Sequence, residues 1–201
     1  TGANNVAVGG SALSNNTTGD FNVAIGRQAL LKNTTADNST AVGDMALCNQ
    51  TTGSNNVAVG AEALRNTTTA VSNVAVGVAA LCANSTGTDN IAMGRSAMVK
   101  NTTGACNTGL GNNASACNTT GINNVAVGQN TLCANTTGNT NVAVGKDAGK
   151  LINDGDGNVI VGSLGADNLT TGCFNTYIGS ETNASAVGIL FESVFGRSGT
   201  G

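Results

Sequence analysis

Asn56-Val57-Ala58-Val59-Gly60-Ala61-Glu62-Ala63-Leu64-Arg65-Asn66-Thr67-Thr68 is one statement of a phrase that fills almost the whole chain. In general form it reads N-V-A-V-G-x-x-A-L-x-x-N-T-T-G-x. Its first glycine falls at Gly9, Gly26, Gly43, Gly60, Gly77, Gly94, Gly111, Gly128, Gly145, Gly162, Gly179 and Gly196, always 17 residues apart. That period is too short for a helical-hairpin repeat of about 33 to 47 residues and fits one coil of a β-solenoid. The spacing predicts an all-β fold, a parallel β-solenoid of twelve coils of 17 residues.

Numbered from that glycine, each position becomes a column. The −4 column is Asn in ten of twelve coils, Ser39 and Glu192 being the exceptions. Stacked Asn side chains predict an internal amide ladder, each bonding to its equivalent one coil away. The −3 and −1 columns flank an Ala, and a two-residue period places the flanking pair on one face and the Ala on the other. The bulkier, β-branched pair is expected inside and the Ala row outside. After the corner glycine, Ala-Leu predicts a second short strand that closes the core from the opposite side, so that about three large apolar side chains per coil are buried. No coil offsets its own ordering entropy alone; stability has to come from stacking.

Composition narrows the function. Of 201 residues only 9% are charged and 2% aromatic, and there is no Pro, Trp or His, against a usual charged share of about 25%. With eight basic residues and a net charge of −3, no basic stripe meets phosphates, so nucleic acid is not an expected partner. No apolar run approaches the roughly 18 residues that span a bilayer, so no membrane insertion is expected. Without His there is no ready general base, and no carboxylate pair recurs on one face, so an enzyme is not expected and no cofactor is implied.

The pattern loosens after Lys146. Leu is lost at Gly149, Ala166, Asn183 and Thr200, and four of the five aromatics, Phe174, Tyr177, Phe191 and Phe195, lie beyond it. Residues 1–162 are therefore taken as regular coils and 163–201 as degenerate coils forming a cap or a junction. Asp154-Gly155-Asp156-Gly157-Asn158 resembles the opening of a calcium loop, but its twelfth position is Gly165 rather than an acid, which favours a solvated turn and no metal site.

The turns and cysteines supply candidate surface features. N-x-[ST] acceptors recur at Asn16, Asn33, Asn49, Asn66, Asn84, Asn101, Asn118 and Asn135, a candidate column of N-glycans in a secreted protein. Cys117 and Cys133 stand at near-equivalent places on adjacent coils, within disulfide reach, while Cys48 and Cys82 lie two coils apart. The rows of Thr raise ice binding, although the two Thr of each turn are adjacent and so point opposite ways.

The phrase as a whole resembles the head repeats of trimeric autotransporter adhesins and, more closely, the 17-residue repeats of phage and giant-virus tail-fibre-like proteins. The likeness covers roughly residues 3 to 162. It implies a left-handed β-roll, often trimeric, at an extracellular surface and serving as a stalk or an adhesive head. On that resemblance the Ala row (Ala7, Ala24, Ala58, Ala75, Ala92, Ala126, Ala143) becomes a smooth assembly seam. The expected function is a non-enzymatic extracellular fibre, surface appendage or virion appendage that self-associates as a trimer or as an end-to-end or lateral filament. Surface glycans are the candidate external partner. The alternative is a glycan-binding or ice-binding module displayed on a solenoid face.

Overall fold

A computed structural model describes residues 2–197. Twelve three-residue strands, from β1 (Val6–Val8) through β4 (Val57–Val59) and β5 (Val74–Val76) to β12 (Ser193–Phe195), form one parallel sheet in sequence order. Each strand pairs with the next in unbroken 17-residue register, Ala58 opposite Ala75 and Val59 opposite Val76. Twelve strands at about 4.8 Å per step make a rod about 55 Å long. The register persists to Thr176 opposite Ser193, so the irregular C-terminal coils keep the same stacking. Thr200 lies outside the described residues.

Among the described residues each coil contains one strand, and the expected second strand is absent. Ala63-Leu64 and its equivalents lie in a continuous turn, because the +2 and +4 residues adopt left-handed backbone: Glu62 at φ 60° and Leu64 at φ 50°. That conformation costs a non-glycine residue about 1 kcal/mol or more. Inter-coil hydrogen bonds offset it, since Leu64 N–H donates to the Ala80 carbonyl at 3.0 Å. The corner glycine is required on two counts. Gly60 sits at φ +132°, and a Cβ there would lie 2.7 Å from the Gly77 carbonyl carbon of the next coil.

The faces of the V-A-V strand are reversed from expectation. Ala24, Ala58, Ala75, Ala92, Ala126 and Ala143 are fully buried, and Ala7 is uncovered in the first coil. Val59, Val76 and their equivalents point outward. The reason is width. A coil of 17 residues with a single strand encloses a narrow channel, and its apolar filling in a regular coil is two Ala and one Leu, as in Ala58, Ala63 and Leu64. Valine at the −2 column would overfill it. The Ala row is thus core, not seam.

Amide groups occupy the rest of the channel. Asn73 donates from its backbone N–H (3.0 Å) and Nδ2 (3.2 Å) to Asn56 Oδ1, and from Nδ2 to the Gly87 carbonyl at 2.9 Å. The same pattern links Asn90, Asn107, Asn124, Asn141, Asn158 and Asn175 in turn. This is the −4 ladder expected from sequence. A second ladder runs beside it in the +7 column, where Asn101, Asn118 and Asn135 each donate Nδ2 to the preceding Asn Oδ1 at 3.0, 2.7 and 3.1 Å.

Candidate interaction surface

The outward −3 and −1 columns form the most distinctive surface of the molecule. Val59, Val76, Met93, Val144, Val161 and Ile178 each expose more than a third of their area, with Ile91 and Val159 beside them. Parallel sheets are ordinarily covered on both faces; this one is covered only by its own turns on the inner side. Two side-chain rows along about 55 Å of sheet amount to on the order of 500 Å² of apolar strip, the upper end of what a monomer presents. The strip is continuous, because strand register never slips and each outward residue stacks on its equivalent one coil away.

The signal for this orientation was present in the −3 column, which admits Thr40, Thr108, Thr176 and Ser193. Hydroxyls recurring among β-branched residues mark a solvent-facing row. The −2 column stays Ala or Gly through nine coils, as a row limited by volume must.

Most candidate glycan acceptors are interior. Asn33, Asn84, Asn101, Asn118 and Asn135 are fully or almost fully buried and spend their amides in the second ladder or on turn carbonyls. A glycan on such a nitrogen would replace an interior hydrogen bond with a bulky polar group, so these five are corrected from surface acceptors to core. Asn49 and Asn66 precede the +7 column by one residue and so face outward: Asn66 is exposed, Asn49 half-buried, and Asn49 Nδ2 donates to Asn66 Oδ1 at 3.1 Å. Asn16, half-buried near the chain start, donates to the Gly19 carbonyl.

The two Thr of each turn have different roles. The first donates its hydroxyl to the next coil, as Thr102 Oγ1 to the Thr119 carbonyl at 3.0 Å and Thr119 Oγ1 to the Thr136 carbonyl at 2.9 Å. The second forms an exposed file that includes Thr103, Thr120 and Thr137. Only a single row of outward hydroxyls results. The Asp154–Asn158 turn is engaged internally: Asp156 Oδ1 accepts from Asn139 N–H at 2.6 Å, and Asn158 belongs to the −4 ladder. Among the described residues no group of three or more His, Cys, Asp or Glu is placed to hold a metal ion.

Six free thiols are present. Cys117 and Cys133 do lie on facing backbone, with Cys117 N–H donating to the Cys133 carbonyl at 3.1 Å, and their sulfurs are unbonded. Burial pushes the Cys48, Cys82 and Cys133 thiols above the ordinary range. Near the C-terminal end, Phe174 and Phe191 stack at 5.5 Å between ring centroids on an exposed edge. Comparison with protein-family models, curated proteins and solved structures returned no match.

Proposed function

We propose that this protein is a non-enzymatic structural element of an extracellular fibre or surface appendage, and that it self-associates through its valine strip. One observation carries the reading: an in-register parallel sheet of twelve strands whose outer face is mainly Val, Ile and Met, interrupted only by Thr40, Thr108, Thr176 and Ser193 in one of its two rows. Leaving such a strip in water costs roughly 25 cal/mol per Å² of apolar surface, and lateral docking against another copy removes that cost. The unbroken register helps, because equal spacing on both partners lets side chains interdigitate without adjustment. The interior amide ladders supply stiffness along the rod, as each coil is tied to its neighbours by buried hydrogen bonds. Asn66, with Asn49 beside it, is the proposed glycan-bearing position on the lateral edge.

Sedimentation of the isolated chain tests the reading. Oligomers or filaments at micromolar concentration, dispersed by Val59→Lys with Val144→Lys while the circular-dichroism spectrum is unchanged, are expected. A stable monomer that binds glycans saturably, or that produces thermal hysteresis, would replace it with a ligand-binding module.

A further inference from the structure

We propose that Cys117 and Cys133 form an intrachain disulfide that staples the coil with the emptiest core to its successor. In the coil around Gly111, the −2 residue is Gly109 in place of Ala and the +4 residue is Ser115 in place of Leu. Ser115 is buried and its Oγ has no hydrogen-bond partner. Met98, one coil earlier, leans into the space left by Gly109: a Cβ on that glycine would lie 3.2 Å from Met98 Cγ. The apolar core divides between this coil and the one before it, one cluster ending at Met98 and the next starting at Ala114. Coil-to-coil stability in a solenoid is a sum of neighbour terms, so a coil with this little apolar filling is weakly held to the coils on either side of it.

The two cysteines tie this coil, on its other side, to the coil around Gly128. Their backbones are hydrogen-bonded at 3.1 Å across adjacent coils, which holds the α-carbons on the order of 5 Å apart, inside the range a disulfide requires. Both side chains are half-buried on one edge, and Lys100 Nζ donates to Cys117 Sγ at 3.8 Å. No second pair of cysteines is so placed among the described residues: Cys48 and Cys82 are separated by an intervening coil carrying Arg65, and Cys106 and Cys173 sit in other columns.

The oxidant is a small-molecule disulfide such as glutathione disulfide. The Cys117 thiolate attacks one of its sulfurs and releases one glutathione thiolate. The Cys133 thiolate then attacks the mixed disulfide at the Cys117 sulfur and releases the second. Two protein thiols become one disulfide, two glutathiones are formed, and the two thiol protons pass to solvent or to the released thiolates.

The test incubates the folded, reduced protein with glutathione disulfide and maps peptides by mass spectrometry. The expected result is a loss of about 2 Da with a linked Cys117–Cys133 peptide. Melting should rise by at least about 5 °C over the reduced form. The control Cys82→Ser should keep both responses, and Cys133→Ser should lose both. A linkage between other cysteines, stable glutathionylation without ring closure, or a bridge that leaves melting unchanged would overturn the proposal.

Discussion

The coils around Leu64 and Leu81 and those after Gly145 fill the same channel in different ways. In the former, Leu occupies the +4 column and a polar residue the +7 column, as with Leu81 and Asn84. In the latter, +4 shrinks to Gly149 and Ala166 while +7 becomes Ile152 and Leu169. The −2 column enlarges at the same time, from Ala143 to Ile160 and Tyr177. A Cβ on Gly149 would lie 3.1 Å from Ile152 Cδ1, 3.2 Å from Leu132 Cδ2 and 3.5 Å from Ile160 Cδ1, so the missing leucine is replaced by bulk arriving from two other columns. What varies is the address of the side chains, with bulk lost in one column supplied from others. The residues that read as degeneration are a second solution of one packing problem.

The ladders obey the same rule. Ser39 breaks the −4 column, and in its own coil Gln50 breaks the +7 column. Gln50 Nε2 donates to Ser39 Oγ at 3.0 Å and its Oε1 accepts from Asn56 Nδ2 at 3.0 Å, so the longer amide spans the gap left by the shorter hydroxyl. The second ladder stops where its next member is not Asn: the Oδ1 atoms of Asn33, followed by Gln50, and Asn135, followed by Ile152, are buried without a partner.

This contrast can be broken most severely in the regular part. Asn107 Oδ1 accepts from Asn124 N–H and Nδ2, and Asn107 Nδ2 donates to Asn90 Oδ1 and the Gly121 carbonyl. Asn107→Ala orphans those buried groups and is expected to cost about 4 kcal/mol, read as a lower urea midpoint. Next is the packing exchange. Gly149→Leu alone overfills the channel and Ile152→Asn alone empties it, each losing about 2 kcal/mol. The double variant restores the regular filling and gives Asn135 Oδ1 a partner, so a double-mutant cycle should return a favourable coupling of about 2 kcal/mol. Gly149 already has the φ of +56° that the Leu column uses, so the backbone admits the change. Additive losses would disprove the exchange. By the same logic Gln50→Asn is expected to lose about 1–2 kcal/mol, recovered when Ser39→Asn is added.

The smallest effect distinguishes the last coils by pH. Tyr177 is buried, and its hydroxyl donates to Glu192 Oε2 at 2.5 Å. Burial, reinforced by that bond and by the carboxylate's charge, holds the phenol well above its ordinary range. Burial works to raise Glu192, but hydrogen bonds from Tyr177 and Ser185 outweigh it and hold the carboxyl below its usual value. The Tyr177 contribution is therefore complete below the unfolded phenol value of about 10 and fades as pH rises through it. The Glu192 contribution is complete above about 4.3 and fades on acidification. Tyr177→Phe is expected to lose about 1 kcal/mol at neutral pH and to flatten the alkaline decline predicted for the parent.

The period, the solenoid and the −4 ladder were legible because each is a repeat of identity, and identity survives without knowledge of scale. The facing of V-A-V was not, since alternation names two faces without saying which is inner. Channel width decides that, and it follows from Leu64 adopting left-handed backbone where a second strand was expected. The +7 Asn read as surface for a related reason: N-T-T looks like a turn, and only Ile152 and Leu169 in the same column betray its interior position.

Substituting Lys at two neighbouring positions of one strand measures the central claim, that Ala58 faces the channel and Val59 the assembly. Circular dichroism and sedimentation velocity would be recorded for Ala58→Lys and Val59→Lys side by side. The account predicts that Ala58→Lys loses the β spectrum, whereas Val59→Lys keeps it and shifts the chain toward monomer. A folded Ala58→Lys beside an unfolded Val59→Lys would contradict it.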